Sequence, residues 1–306
     1  MTRVAVIGPG DVSVVHLAAI EKLGADLVGV CDSDHRRFLD DLRPEVVHIC
    51  TPHDQHVPIA IDALERGAHV FLEKPVAHTL DEAERLIAAA KEFPHLKVGV
   101  CLQNRYNLAS RHARDLLPGL GEIAGASATV LWHRTPQYYR NRPWRGDRRR
   151  SGGGVLINQA IHTIDLVQWL VGDVTAVRGH AGRYGGFPGD VEDTASLMLD
   201  HANGARSVIF ATVTNATDSP VSIEIVTEKA TLTLRGDLTV AYADGRVDVV
   251  AEHRESTGGR DYWGASHELI IADFYRKLAD PEPFWIGPEE AIRSQQLIDA
   301  LYRQNT

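Results

Sequence analysis

The sequence predicts an α/β protein with two domains, the first over residues 1–120 and the second over residues 121–306. In the first part, short apolar runs such as residues 4–7 alternate with segments of helical period, which is typical of a parallel sheet covered by helices. Beyond residue 174, apolar or alternating runs separated by turn signals predict one further sheet. A chain of 306 residues with 44% hydrophobic content is long enough for two such domains.

The composition limits the class of partner. A formal net charge of -9 disfavours general affinity for nucleic acid or anionic membranes, because both reward a basic surface. No apolar run approaches the ~20 residues of a membrane span and no secretory signal pattern is found, so we expect a cytoplasmic protein. Cys31, Cys50 and Cys101 each close an aliphatic run, and the histidines show no metal-ligand spacing, so no metal site is predicted.

A glycine turn joins the first strand to the first helix. Gly8 and Gly10 follow the strand and precede a helical pattern, and glycines at such a turn let the backbone approach a pyrophosphate at the helix N-terminus. Ser13 occupies the position of the third glycine in the usual dinucleotide fingerprint. The third glycine of the fingerprint allows the helix to pack closely on the strand, and serine is small enough to do the same.

An acidic residue ends the second strand. Asp32 lies 22 positions past Gly10, where a carboxylate accepts hydrogen bonds from the adenosine ribose and repels a 2′-phosphate. The cofactor is therefore predicted to be NAD rather than NADP, although Arg36 and Arg37 follow closely and weaken that preference. Only residues 33–45 separate Asp32 from the next strand, which leaves room for one short helix. We therefore predict that the usual edge strand of the sheet is missing.

A lysine stands where the strand around residues 70–73 ends. Pro75 cannot continue a ladder, and Thr79 with Glu82 is a capping-box signature, so Lys74 is predicted to lie in a strand-to-helix connection. Ligands of open α/β folds bind at this carboxyl edge, which favours a catalytic lysine over a surface lysine in a turn. The residues predicted to contact the cofactor at this edge are Gly8, Gly10, Asp32, Thr51, Pro52, His56, Glu73 and Lys74.

A long arginine-rich loop is predicted after a strand at residues 123–133. It holds Tyr139, Trp144 and six arginines between residues 140 and 150. Such a loop could form a lid that contacts hydroxylated or anionic substrates. It could equally be a solvated cluster of charges, which is what most arginine-rich runs are. The lid interpretation is stronger for the two aromatic residues.

Three glycines, 152–154, open a helix in the second domain. Asn158, His162 and Asp165 stand at i, i+4 and i+7 and share one face of it. A histidine near neutral pKa can take a proton from a substrate hydroxyl and return it. The alternative is a core histidine hydrogen-bonded to Asp165.

Together these motifs resemble the family of glucose-fructose oxidoreductase and inositol dehydrogenase. The resemblance rests on GPGDVSVVH, CDSD, TPHDQH, EKP, QNRYN, PWRG and GGGVLINQAIHTID, and it spans nearly the whole chain. It implies an N-terminal Rossmann-type domain and a C-terminal α+β domain with a large, mostly antiparallel sheet that often forms the oligomer interface. The lysine matching Lys74 contacts nicotinamide and the substrate hydroxyl in that family, whose usual helix acid falls at Asn158 here. In the stretch of residues 262–267, His267 resembles a position near the substrate site of relatives, and a helix-capping role fits it about equally.

The predicted activity is that of an NAD-dependent oxidoreductase acting on CH-OH groups. Hydride passes between nicotinamide and a secondary alcohol or ketone of a sugar, inositol or related polyol, with His162 moving the proton and Lys74 stabilising the alkoxide. The residues expected to bind substrate are Arg105, Tyr139, Trp144, Asn158 and His162. An NAD-retaining lyase or glycosidase, or a non-catalytic nucleotide-binding sensor, fits the same residues.

Overall fold

A computed structural model describes residues 1–252 and 266–304 of the chain. Residues 262–265, which begin the stretch that ends at His267, lie outside the described part of the chain. The chain forms two compact units, one of residues 1–103 and 257–293, the other of residues 104–256 and 294–306. The predicted division was a single boundary at residue 120, whereas the chain returns to the first unit after completing most of the second.

Strands and helices alternate in the first 101 residues, as the sequence predicts. The elements are β1 Arg3–Ile7, α1 Ser13–Lys22, β2 Asp26–Cys31, α2 His35–Leu42, β3 Val46–Ile49, α3 His56–Glu65, β4 His69–Glu73, α4 Leu80–Glu92 and β5 Val98–Cys101. The remaining elements follow in chain order: α5 Leu108–Leu116, β6 Ile123–Leu131, α6 Pro136–Asn141, α7 Arg148–Ser151, α8 Ile161–Val171, β7 Val174–Gly182, β8 Thr194–His201, β9 Arg206–Thr212, β10 Ser222–Thr227, β11 Ala230–Arg235, β12 Asp237–Tyr242, β13 Val247–Val250, α9 Ser266–Arg276 and α10 Pro288–Gln304.

The first unit is built on a five-stranded parallel sheet in the order β2-β1-β3-β4-β5. Every residue of β3 and β5 is buried, which explains why these strands read as continuous apolar runs. Only α2 lies between β2 and β3, so the predicted absence of a further strand on that side is confirmed. Accordingly β2 is the edge strand and is largely exposed.

The second unit contains an eight-stranded sheet in the order β13-β12-β11-β10-β6-β9-β8-β7. All neighbouring strands are antiparallel except β6 and β9, which run parallel, so the mostly antiparallel sheet implied by the family resemblance is confirmed. Alternating burial along β8 to β11 places one face in a core shared with α5 and α8. Among the described residues no helix is long and apolar enough to cross a lipid bilayer.

Candidate active site

Gly8 lies where β1 ends, and only glycine fits there. Its φ is +92°, and an added Cβ would lie 2.7 Å from the carbonyl carbon of Cys50 and the nitrogen of Thr51. The turn therefore packs directly on the backbone that follows β3. Gly10 has no positive φ, and its amide donates to the Gly8 carbonyl oxygen at 2.8 Å, which tightens the turn.

The N-terminus of α1 is not capped by a side chain, and no acidic residue lies in its first turn. The amides of Ser13 and Val15 donate to the backbone carbonyl oxygens of Gly10 and Val12 at 3.1 Å and 3.2 Å. The hydroxyl of Ser13 donates to the Gly10 carbonyl oxygen at 2.7 Å and is buried against the turn, as its small size allows. The Thr51 hydroxyl oxygen is buried without a hydrogen-bond partner within the described chain. A helix N-terminus without a side-chain cap or a first-turn acid, next to the buried hydroxyl of Thr51, fits the binding of a dinucleotide pyrophosphate.

Asp32 directly follows β2 and is exposed, as a ribose-binding carboxylate must be. The nearby Arg36 is engaged elsewhere, since its Nε donates to Asp62 Oδ2 at 2.9 Å. His35 Nε2 contacts the same carboxylate oxygen at 2.7 Å. The Asp62 carboxylate therefore offsets the Arg36 charge that weakened the prediction of NAD over NADP.

Lys74 directly follows the last residue of β4 and is half-buried. It thus lies in the strand-to-helix connection predicted from the sequence, and the Thr79 hydroxyl caps α4 by accepting from the Glu82 amide at 3.3 Å. His56 is fully buried, with its ring nitrogens 2.8 Å from the Pro75 carbonyl oxygen and 3.0 Å from that of Thr51. It joins the connection after β3 to the connection after β4. Whether it also contacts the cofactor stays a prediction.

A buried polar cluster of His16, His48, Glu73 and Tyr275 was not predicted from the sequence. His16 Nε2 lies 2.9 Å from Glu73 Oε1, His16 Nδ1 lies 2.8 Å from His48 Nδ1, and His48 Nε2 lies 2.9 Å from the Tyr275 hydroxyl. Glu73 is therefore held by a histidine of α1, while its predicted contact with the cofactor stays a prediction. Cys101 also offers a ligand atom within 4.8 Å of those of His16 and Glu73.

In the second unit, Asn158 lies just before α8, whereas His162 and Asp165 lie within it. Asn158 and His162 are half-buried, whereas Asp165 is fully buried. Residues 156–160 form a π-helical turn that periodicity did not reveal, and such turns recur at functional sites. The Asn158 amide nitrogen donates to the Gly153 carbonyl oxygen at 3.1 Å.

Glu192 holds the beginning of the segment that leads into α8, and sequence reasoning missed it. Its carboxylate accepts from the amides of Gly154 at 2.8 Å and Leu156 at 3.0 Å, and from the Tyr302 hydroxyl at 2.7 Å. Burial raises the pKa of the Glu192 carboxyl, even though these hydrogen bonds oppose the shift. A carboxylate distant in sequence thus satisfies amides that no local side chain caps.

Asp165 forms a buried ion pair with Arg105. Arg105 Nε and Nη2 donate to its two carboxylate oxygens at 2.8 Å and 2.6 Å, and each side chain is only 3% exposed. The bidentate geometry fixes α8 to the segment before α5. Sequence reasoning missed this pairing, and a contact of Arg105 with substrate stays a prediction.

The arginine-rich loop is largely ordered into α6, a short 3-10 turn and α7. Tyr139 is buried and stacks on Phe187 with ring centroids 5.3 Å apart, so its ring belongs to the packing of the loop. Trp144 is half-buried, and the Arg145 guanidinium lies 4.3 Å from the Tyr138 ring. Substrate contacts by Tyr139 and Trp144 stay predictions.

The first unit has the features of a nicotinamide dinucleotide site: a glycine turn, a helix N-terminus without a side-chain cap, and an exposed Asp32. Profiles of two domains match the chain: "Oxidoreductase family, NAD-binding Rossmann fold" over residues 2–100 and "GFO/IDH/MocA C-terminal domain" over residues 111–233. The protein is an NAD-binding oxidoreductase. It belongs to the Gfo/Idh/MocA family, as the sequence motifs predicted.

Individual relatives agree with this assignment. Levoglucosan dehydrogenase of Pseudarthrobacter phenanthrenivorans is 30% identical over 297 residues, which cover 81% of this chain and 74% of the relative. Inositol 2-dehydrogenase of Rubrobacter xylanophilus is 27% identical, covering 75% and 70%. Among solved structures, the WlbA dehydrogenase of Bordetella pertussis with NADH and UDP-GlcNAcA is 26% identical and superimposes with a TM-score of 0.82 over 99% of this chain and 95% of that chain.

Proposed function

We propose that the protein is an NAD-dependent dehydrogenase of sugars or related polyols. The observation that carries this proposal is the position of Lys74, which directly follows β4 at the same sheet edge as the glycine turn. Relatives named levoglucosan dehydrogenase, D-glucoside 3-dehydrogenase and inositol 2-dehydrogenase support the substrate class. No described feature favours the lyase or the sensor over this activity.

The proposed chemistry divides between a lysine and a histidine. Lys74 stabilises the negative charge that develops on the substrate oxygen, and His162 takes the hydroxyl proton and returns it in the reverse direction. Asn158 binds a hydroxyl, because an amide forms hydrogen bonds but does not exchange protons at neutral pH. NAD, when bound, accepts the hydride from the carbinol carbon.

A substrate screen tests the proposal. The purified protein is incubated with NAD and with levoglucosan, myo-inositol or a methyl glucoside, and the absorbance of NADH is followed. We expect NADH formation with at least one member of a panel of sugars and polyols. Consumption of a sugar without net NADH, or no turnover of any member despite tight NADH binding, would contradict the proposed dehydrogenase.

Asp32→Ala is expected to weaken NADH binding about 10- to 100-fold, because hydrogen bonds to a charged group contribute about 1.5–3 kcal/mol. NADPH binding should change little or improve, because the carboxylate that repels the 2′-phosphate is gone. Fluorescence titration of both cofactors measures this result. Asp26→Ala at the other end of β2 is the control and should bind both cofactors like wild type. Equal affinity of Asp32→Ala and wild type for NADH would remove Asp32 from the site.

We further propose that the chain forms a homo-oligomer through its eight-stranded sheet. The sheet face opposite the core exposes large apolar side chains on β8, β9 and β10: Met198, Val208, Phe210 and Val226 are 39–48% exposed, and Met198 pairs in register with Val208. Exposed apolar side chains of this kind mark an interaction surface, and a second copy is the occupant that the family resemblance implies.

The cytoplasmic location also remains a proposal, which cell fractionation would test.

Phe210→Lys is expected to shift the protein toward monomers, because it places a charge among the exposed apolar side chains of this sheet face. Light scattering after size exclusion gives the mass in solution. Leu23→Lys is the matched control, since Leu23 is also an exposed apolar residue, 38% exposed, but follows α1 in the first unit. A monomeric wild type, or an unchanged mass of Phe210→Lys, would reject this interface.

A further inference from the structure

The buried cluster of His16, His48, Glu73 and Tyr275 joins four elements of the first unit. Its members come from α1, β3, β4 and α9, and both histidines are completely buried. His48 pairs in register with Phe71, two residues before Glu73, so the three side chains lie on one face of the sheet. The proposed chemistry of Lys74 and His162 does not use this cluster.

The three contacts of the cluster are compatible with a neutral and with a protonated His16, and the charge of Glu73 decides between the two. A protonated His16 donates from Nε2 to the Glu73 carboxylate and from Nδ1 to His48 Nδ1. A neutral His48 then carries its proton on Nε2 and donates to the Tyr275 hydroxyl oxygen. An ionised carboxylate that is only 5% exposed requires such a cation, because an unpaired buried charge is costly.

The surrounding charged and titratable groups agree with this assignment. Burial alone lowers the pKa of His16, but Cys50 and the Glu73 carboxylate outweigh it and raise that pKa above its usual value. Burial raises the pKa of a carboxyl, but His16, with smaller contributions from His267 and Lys74, holds the pKa of Glu73 below its usual value. Burial lowers the pKa of His48 and raises that of the Cys101 thiol, so these two groups stay neutral. Burial also raises the pKa of the Cys50 thiol, while the neighbouring His16 opposes that rise.

We propose that His16 is a positioning residue of the Lys74 site: as an imidazolium it holds the Glu73 carboxylate and so fixes the end of β4 from which Lys74 projects. His16 belongs to α1, the helix that begins at the glycine turn. The ion pair therefore ties the lysine to the helix proposed to bind the cofactor pyrophosphate. His48 and Tyr275 hold the other side of the imidazolium ring. The inference rests on the proposed function of Lys74.

The test compares His16→Gln with a histidine at the opposite end of the same strand. His69 begins β4, is partly buried and accepts from the Lys97 amide at 2.8 Å, so His69→Gln disturbs a buried contact without touching the cluster. We expect His16→Gln to lower kcat about 10- to 100-fold, because small displacements of catalytic groups have effects of this size. NADH affinity and substrate KM should change less than about threefold, and His69→Gln should turn over like wild type.

A second variant separates positioning from a general loss of structure. Adding Glu73→Gln to His16→Gln removes the uncompensated carboxylate and leaves two neutral amides, so the double variant should regain part of the lost kcat. The kcat of His16→Gln should also become more dependent on pH than that of wild type, because Glu73 loses the cation that keeps it ionised. No rescue together with an unchanged pH profile would overturn the proposal.

The outcomes distinguish failure of the inference from failure of the proposed function. If Lys74→Ala abolishes turnover and His16→Gln behaves like His69→Gln, only the inference fails. If Lys74→Ala retains turnover, both the function proposed for Lys74 and the inference about His16 fail. Stoichiometric zinc in the purified wild type, lost in His16→Gln, would show that the cluster with Cys101 holds a metal ion and would overturn the ion pair.

A wild-type measurement serves if His16→Gln does not fold. In protein labelled with nitrogen-15 in histidine, one imidazole should keep both ring nitrogens protonated at pH 8, well above the usual histidine pKa of about 6.5. Absence of such a histidine would overturn the proposal.

Discussion

Lys74→Ala is expected to lower kcat by about 10²- to 10⁴-fold while changing the NADH dissociation constant less than about threefold. The expected size is that of removing one group that stabilises developing charge in the transition state. Lys74 follows the last residue of β4, whose residues Val70 to Glu73 are all buried, so truncating the Lys74 side chain should leave the sheet and the glycine turn unchanged. Cofactor binding should therefore persist. Stopped-flow turnover and fluorescence titration give the two quantities separately.

Lys91→Ala is the matched control for this substitution. Lys91 lies on α4, its side chain is 68% exposed, and it pairs with Glu289 on the surface, so its loss should change neither quantity. Lys74→Arg adds a second comparison, because it retains the positive charge but changes the donor geometry. Equal losses of turnover and of NADH affinity in Lys74→Ala would contradict the catalytic assignment and indicate a purely cofactor-binding lysine.

The first unit was largely predictable because its signals are local. A glycine turn, a terminal acid and a capping box each occupy a few consecutive residues, and the short interval after Asp32 was enough to predict the missing strand. The buried cluster was not predictable, since His16 lies 57 positions from Glu73, and His48 lies 227 positions from Tyr275. Nothing in the neighbourhood of a single histidine indicates partners at such distances.

The second unit shows the same limit more strongly. The polar residues of α8 were found from helical spacing, but the π-helical turn before it changes that spacing without any local sequence signal. Asp165 was considered as a partner of His162, but its pairing with Arg105, 60 positions earlier, was not predicted. The three glycines were recognised as a motif, but their physical reasons come from the fold. Tyr302 approaches Gly153 and Glu192 approaches Gly154 too closely for a side chain, and Gly152 ends α7 with a φ of +81°.

Gly154→Ala is expected to destabilise the second unit by about 3 kcal/mol or more, through overpacking that side-chain movement cannot relieve. An added Cβ would lie 1.8 Å from the carbonyl oxygen of Glu192 and 2.8 Å from its carbonyl carbon, and both are backbone atoms. Either Glu192 or the segment carrying Asn158 and His162 has to move. The melting temperature should fall by roughly 6–12 °C, at about 2–4 °C per kcal/mol for a unit of this size.

Gly119→Ala is the matched control, because Gly119 lies in the same unit, has no positive φ, and an added Cβ would meet no atom within 4 Å. It should melt within about 2 °C of wild type. Because the Gly154 amide donates to the Glu192 carboxylate, any movement that relieves the clash also loosens the beginning of the segment that carries His162. Turnover of Gly154→Ala should therefore fall even below its melting temperature, while NADH binding in the first unit persists. Gly154→Ala with the stability and turnover of wild type would show that the segment does not depend on this close contact.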